Sequence, residues 1–94
     1  DEPLAAENKS YIESISPNPA NSQAVIAFHV EKASNVKLIL FDMAGKTVAS
    51  MIDGMLSPGD HTFNLPTSGL ASGIYTCRLQ TVDSVHSIKL VVSK

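Results

Sequence analysis

The segment VKLILFDMAGKTV, residues 36–48, decides the fold class because it holds a buried strand, a tight turn and the start of a second strand. Residues 36–41 are apolar at five of six positions, Lys37 excepted, which predicts a central strand covered on both faces. Asp42 supplies an acceptor at the first position of a type I turn, and Gly45 supplies the positive φ that closes the hairpin. The segment therefore predicts antiparallel β-structure.

Short apolar runs recur on both sides of this segment, about eight to twelve residues apart and separated by turn residues, a pattern typical of a sandwich or barrel. No stretch has the period of a helix. We expect an all-β, immunoglobulin-like antiparallel sandwich of about seven strands. The predicted strands are Tyr11–Ile15, Ala24–Glu31, Asn35–Phe41, Thr47–Ile52, His61–Leu65, Ile74–Val82 and Val85–Ser93.

Two strands show a clear alternation of apolar and polar faces. Ile26, Phe28 and Val30 share one face of the second strand, and Ile88, Leu90 and Val92 share one face of the last, so each strand has one wet face. Between strands, Ser57–Asp60 fits a type II turn in which Gly59 takes the positive φ, and Asp83 with Ser84 is short enough for a tight hairpin. The Asp42–Gly45 and Ser57–Asp60 turns are expected to fix strand register, and the last strand is expected to run to the C-terminus without a loose tail.

Composition restricts the classes of function. Hydrophobic residues make up 44% of the chain and charged residues 17%, a balance typical of one globular domain. The net charge is −2 and the seven Lys and Arg residues are scattered, which argues against a nucleic-acid partner. The longest apolar stretches are about six residues, too short to span a membrane. Residues 1–10 are polar and acidic, unlike a signal peptide, and are predicted to be a linker from an upstream domain, with the folded domain at residues 11–94.

No constellation of side chains predicts catalysis. His29, His61 and His86 lie on separate strands without a companion carboxylate cluster, and Cys77 alternates with core residues, which predicts a buried, inert thiol. The acidic residues are dispersed, and the glycines never open a helix as a phosphate loop does. We therefore expect no enzyme, no metal and no cofactor. A non-catalytic binding or adhesion module for glycan or protein stays open as the alternative, although the chain has no Trp for an aromatic platform.

Four segments in a fixed order carry a family resemblance: ISPNPA (15–20), VKLILFDMAGKTV (36–48), LASGIYTCRL (70–79) and IKLVVSK (88–94). In this order the chain resembles the C-terminal sorting domain of type IX (Por) secretion cargo, over about Ser14–Lys94. Cys77 departs from the pattern, which usually has an aliphatic or aromatic residue there. The residues expected to serve recognition are Pro17, Asn18, Pro19, Asp42, Gly45, Leu70, Gly73, Ile74, Tyr75, Lys89, Leu90, Val91, Val92 and Lys94.

The resemblance implies a secretion signal that passes through the periplasm on its cargo and crosses the outer membrane of a Gram-negative bacterium to the cell surface or the medium. It implies the type IX translocon and its shuttle components as partners, and a sortase-like cysteine peptidase that usually removes the domain, with the cut expected within Asp1–Ser10. Recognition is expected at the terminal strand, where Lys89 and Lys94 flank Leu90–Val92. An exposed edge of this strand is expected to accept a further strand.

Overall fold

A computed structural model describes residues 10–82 and 84–94, and these residues form seven β-strands in the predicted order. Every predicted strand overlaps an observed one. The strands are β1 (Tyr11–Ser16), β2 (Gln23–Val30), β3 (Ser34–Phe41), β4 (Thr47–Leu56), β5 (Gly59–Pro66), β6 (Gly73–Gln80) and β7 (Val85–Val92). Within the two described ranges, no helix has the length and apolar character needed to cross a membrane.

The strands pair into two antiparallel sheets, one in the order β1-β2-β5 and the other in the order β4-β3-β6-β7. The two sheets bury one common apolar cluster, so the predicted all-β sandwich is confirmed. The fourth strand pairs with β3, whereas in constant-type immunoglobulin domains it joins the sheet of the first two strands.

Alternation along the strands decides which side chains enter the core. In β2, Ile26, Phe28 and Val30 are almost completely buried, as are Leu90 and Val92 in β7, which confirms both predicted faces. Burial of one such side chain contributes about 1.5–3 kcal/mol. Since small domains are stable by only about 5–15 kcal/mol, a few core positions determine whether this domain folds.

The prediction that β3 is covered on both faces is wrong. β3 is central, paired with β4 on one side and β6 on the other, but only its inner face, which includes Leu38, is buried. On the outer face Lys37 is exposed and Phe41 is half-buried under the guanidinium of Arg78, 4.5 Å from the ring centre. A two-layer sandwich has no third layer to cover the outer face of β3. The apolar side chains on that face therefore pack only against neighbours within the same sheet.

The turn between β3 and β4 has the predicted geometry. The Asp42 N–H donates to the Lys46 carbonyl oxygen (2.9 Å), and the Gly45 N–H donates to the Asp42 carbonyl oxygen (3.0 Å). The Asp42 carboxylate accepts from the backbone N–H groups of Ala44 and Lys46, both at 2.9 Å. Gly45 has φ +85°, which L side chains disfavour. One carboxylate and one glycine thus hold the hairpin closed.

Replacing Gly45 with valine is expected to lower the free energy of unfolding by about 1–2 kcal/mol, because a β-branched side chain is strained at positive φ. For a domain of this size that corresponds to a fall in Tm of about 4–16 °C. Gly54→Val is the matched control, since Gly54 lies within β4, lacks a positive φ and has open space around its Cα. Thermal melts with equal losses for both variants would contradict the assignment of strain to Gly45.

The two remaining predicted turns need correction. Gly59 has the expected positive φ (+124°), but β4 and β5 belong to different sheets, so the Ser57–Asp60 turn does not set the register of a hairpin. The register of β5 comes from its pairing with β2, in which Asp60 faces His29. The β6–β7 loop spans residues 81–84, because β6 ends two residues earlier than predicted, and the Thr81 N–H donates to the Ser84 carbonyl oxygen (2.8 Å). Asp83 lies outside the described residues.

The predicted linker lies outside the described residues except for Ser10. Ser10 is buried, and its hydroxyl accepts a hydrogen bond from the Glu31 N–H (3.0 Å). The part of the chain that packs on the sandwich therefore includes the residue before Tyr11. For residues 1–9 the linker stays a prediction.

Candidate recognition surface

One end of the sandwich brings together part of each of the four segments that the sequence singles out. Antiparallel pairing places the end of β3 beside the start of β6, where Phe41 faces Thr76, and the start of β6 beside the end of β7, where Gly73 faces Val92. Ala20, just before β2, forms a parallel bridge to Val92. We call this the motif end. It holds Pro17, Asn18, Pro19, Asp42, Gly45, Leu70, Gly73, Ile74, Tyr75, Lys89, Leu90, Val91, Val92 and Lys94.

The edge of β7 at the motif end is covered by residues 18–20, which we call the clasp. The Asn18 side-chain amide donates to the Lys89 carbonyl oxygen (3.0 Å), and its carbonyl oxygen accepts from the Val91 N–H (3.0 Å). The Ala20 N–H donates to the Val91 carbonyl oxygen (2.7 Å), and the Ser93 N–H donates to the Ala20 carbonyl oxygen (2.8 Å). The clasp thus makes the bonds that a neighbouring strand would make.

The expectation of an exposed edge along the recognition part of β7 is therefore wrong. The Lys89 carbonyl oxygen, both backbone groups of Val91 and the Ser93 N–H are bonded to the clasp. The clasp does not reach Val85 and Ser87 at the other end of the strand, where β1 lies nearby and the Ile12 N–H donates to Nδ1 of His86 (2.9 Å). What Lys89–Lys94 offer to a partner is their side chains, because their backbone is already paired.

The loop before β6 is tied to the same end by Tyr75 and Thr67. The hydroxyl of Tyr75, a side chain only 7% exposed, donates to the Ala71 carbonyl oxygen (2.6 Å), the arrangement known as a tyrosine corner. Thr67 is fully buried, and its N–H and hydroxyl donate to the carbonyl oxygens of Ser22 and Asn21. Thr67 was not among the residues predicted from the sequence. A polar residue closing β5 was the only available signal.

Lys94 is held against this loop. Its N–H donates to the Ser72 hydroxyl (3.2 Å), and its ammonium group donates to the Ser68 carbonyl oxygen (2.8 Å). Both bonds are exposed. They fix the position of the Lys94 charge relative to the start of β6.

Burial divides the predicted recognition residues into two groups. Tyr75, Leu90 and Val92 are in the core, so they shape the motif end and cannot be touched by a partner of the folded domain. The exposed members are Pro17, Asn18, Pro19, Gly45, Ile74, Lys89 and Lys94, and Asp42, Val91, Leu70 and Gly73 are half-buried. The recognition residues predicted from the sequence therefore include buried residues that support the motif end and exposed residues that a partner can contact.

Replacing Asn18 with alanine is expected to lower the free energy of unfolding by about 1–3 kcal/mol, because two side-chain hydrogen bonds to β7 are lost. The free energy of unfolding of Asn18→Asp should lie between those of the wild type and Asn18→Ala, since a carboxylate still accepts from the Val91 N–H but cannot donate to the Lys89 carbonyl oxygen. Asn64→Ala, at an exposed site on β5, is the matched control. Urea denaturation measures the three variants, and an unchanged midpoint for Asn18→Ala would show that the clasp contributes nothing.

Cys77 is buried, and His61 and His86 are each hydrogen-bonded to a backbone group. Cys77 is completely buried, as predicted, and burial raises the pKa of its thiol to about 12, so the nucleophilic thiolate is not formed at neutral pH. His61 contacts the Ser57 carbonyl oxygen (2.8 Å), and His86 accepts from Ile12. In the part of the chain that the structure describes, no three His, Cys, Asp or Glu side chains are grouped to hold a metal ion.

His29 lies between two carboxylates at the opposite end of the sandwich. Its Nδ1 is 2.9 Å from Asp60 and its Nε2 is 3.3 Å from Glu31, while the ring stacks on Tyr11 with centroids 5.4 Å apart. The hydrogen bond with Asp60, and to a smaller extent the one with Glu31, raises the pKa of His29 against the opposing effect of burial.

The raised pKa predicts a stability that depends on pH. A His whose pKa is higher in the folded state stabilises the fold fully below its unfolded pKa of 6.5, and this stabilisation is lost as pH rises through the folded pKa. Wild-type Tm should therefore fall between pH 5.5 and pH 8 by more than the Tm of His29→Gln. Equal falls in the two proteins would mean that the carboxylates do not favour the charged ring.

Comparison with known proteins supports one family. The family model of the secretion system C-terminal sorting domain matches residues 14–93, which include β2 to β7 completely and the end of β1. No curated protein matches the chain.

Proposed function

Because the chain belongs to the secretion system C-terminal sorting domains, we propose that the motif end is the face by which the secretion apparatus recognises it. The domain is a sorting signal for type IX secretion, and it directs its attached cargo across the outer membrane to the cell surface or the extracellular space. Sorting signals of this family are not catalytic, and membership of the family does not favour the alternative of an adhesion module.

The observation that supports this proposal is that each of the four segments contributes residues to one end of the sandwich. They come from strands and loops far apart in the chain, yet hydrogen bonds join them, as when Asn18 bonds Lys89 and Lys94 bonds Ser72. Binding residues commonly lie on loops that a rigid scaffold positions. The motif end has this organisation, since its exposed side chains stand on a shared, buried framework.

The clasp changes which part of β7 we propose for docking. Strand addition along Lys89–Val92 would require the clasp to leave, because its bonds occupy the same backbone groups. We therefore propose that the type IX translocon and its shuttle components contact side chains at the motif end, with Lys89 and Lys94 among them. Recognition in the periplasm, before the cargo crosses the outer membrane, is part of this proposal.

We propose that a sortase-like cysteine peptidase removes the domain by cutting within the segment Asp1–Ser10. Peptidases bind extended, unpaired backbone, and a polar segment between domains offers it more readily than a paired strand. Ser10 is buried against Glu31, which favours a cut on the N-terminal side of Ser10. Mass spectrometry of exported cargo tests this step, since a C-terminal peptide that extends into β1 would contradict it.

A reporter fusion tests the proposed function. Residues 1–94 are joined to the C-terminus of a reporter that carries its own periplasmic signal, in a host with the type IX apparatus. The reporter is expected outside the outer membrane, and the same fusion in a host without the translocon should stay in the periplasm. Retention in the periplasm of the complete host would overturn the proposal.

A further inference from the structure

A shallow groove of about 280 Å³ lies at the motif end, between the β3–β4 turn and the start of β6. Met43 and Ala44 line one side, and Gly73 and Ile74 line the other. Met43 is 78% exposed and Ile74 is 40% exposed, so the apolar atoms of the groove face water. We call these four residues the corner groove.

The apolar surface extends from the corner groove onto the outer face of the sheet. Val91 is paired with Ile74 and is half-buried, and Phe41 at the end of β3 carries Arg78 across its ring. Methionine is flexible and polarisable, and it is frequent where a protein surface adapts to a partner. An exposed methionine beside an exposed isoleucine is consistent with a protein contact.

Lysine side chains stand around this apolar centre. Lys46 ends the turn that carries Met43, Lys89 lies opposite Thr76 next to Ile74, and Lys94 is bonded to Ser72 beside Gly73. All three lysines are exposed. Among the described residues the one carboxylate side chain at this end is Asp42, which accepts two backbone hydrogen bonds in its own turn.

The opposite end of the sandwich carries charges of both signs, and Lys37 there faces Asp53 across the β3–β4 pairing. There the carboxylates of Glu31 and Asp60 flank His29, and Lys32 is the lysine of the adjoining loop. Three lysines against one carboxylate side chain give the motif end a local excess of positive charge among the described residues. Such a field favours approach of a negatively charged partner with this end first.

We infer that the corner groove and its three lysines form a docking surface for an acidic protein surface that inserts an apolar side chain between Met43 and Ile74. The inference rests on the proposed function, because it names the partner chemistry of the same motif end. An apolar centre within a charged rim is the ordinary organisation of a protein interface. A lipid surface is the less favoured partner, since it cannot project one side chain into a concave groove.

The test uses the complete reporter fusion and measures the exported fraction. The triple variant Lys46→Glu, Lys89→Glu, Lys94→Glu and the double variant Met43→Ser, Ile74→Ser are each expected to lower it at least tenfold. Lys32→Glu and Met55→Ser are matched controls at the opposite end, with an exposed lysine and a 68% exposed methionine, and both should be exported normally. Thermal melts confirm that each variant is folded, which their exposed positions predict.

The outcomes separate the docking inference from the proposed function. Normal export of both folded groove variants, with export of the wild-type fusion intact, would overturn the docking surface and leave the sorting function standing. Failure of the wild-type fusion to be exported would overturn both. Co-sedimentation of the domain with vesicles of anionic phospholipid, abolished by the triple lysine variant, would reassign the surface to lipid and also overturn the inference.

Discussion

Deletion of Lys89–Lys94 is expected to stop export of a cargo fusion and to leave the fusion in the periplasm. The deletion removes Leu90 and Val92, which are 0% and 2% exposed, from the core. It also removes the part of β7 that pairs with the start of β6, and every group of residues 89–93 to which the clasp is bonded. Loss of two large core side chains alone costs about 4–10 kcal/mol, which is comparable to the whole stability of a small domain.

Fractionation of cells into periplasm and medium measures this result. Lys89→Ala is the companion variant, because it removes an exposed ammonium group from the same segment and keeps the core and the clasp. It should remain folded and should lose less export than the deletion. Normal surface display of the truncated fusion would contradict the proposal that the folded motif end is read.

Local features of the fold could be predicted from the sequence because they depend on neighbours in the chain. The hairpin at Asp42–Gly45 needs one acceptor and one residue with positive φ, both visible within four positions. Burial of Cys77 follows from alternation along one strand. Such predictions hold in the folded domain because they depend only on residues that are close in the sequence.

Features that depend on distant residues could not be predicted. Nothing local shows that β4 and β5 separate into different sheets, since Pro58 and Gly59 are equally typical of a hairpin and of a crossover. The clasp is the clearest case, because Asn18 meets β7 across more than seventy residues of chain. A polar side chain in a proline-rich loop predicts a turn, and only the sheet topology reveals the edge that it covers.

The candidate site likewise has features that could be predicted from the sequence and features that could not. The family resemblance identified the four segments, but their sequences do not distinguish Tyr75, whose hydroxyl holds a loop, from Ile74, whose side chain faces water. The alternation of β6 separates them once the strand is placed in the sandwich. Met43 and Lys46 were not predicted as recognition residues, because a turn residue and a lysine are unremarkable until the topology brings them beside β6 and β7.

Phe28→Asp is expected to abolish export although Phe28 lies outside all four segments. Phe28 is 1% exposed in β2, and its ring stacks on His61 with centroids 5.5 Å apart. Loss of the ring costs about 3–5 kcal/mol, and an unpaired buried carboxylate costs several kcal/mol more. Since the sum approaches the total stability of a small domain, the variant should unfold with every recognition residue still in its sequence.

The Phe28→Asp variant tests whether the secretion apparatus recognises the folded domain or a linear peptide segment within it. If the apparatus binds the motif end only when strands and loops assemble it, the Phe28→Asp fusion stays in the periplasm and its circular dichroism spectrum loses the β-sheet signal. Val25→Asp is the matched control, because Val25 lies on the same strand but faces outward, 36% exposed. It should fold and be exported. Export of an unfolded Phe28→Asp fusion would mean that the terminal segment is recognised without the sandwich, and the geometry of the motif end would then have no part in sorting.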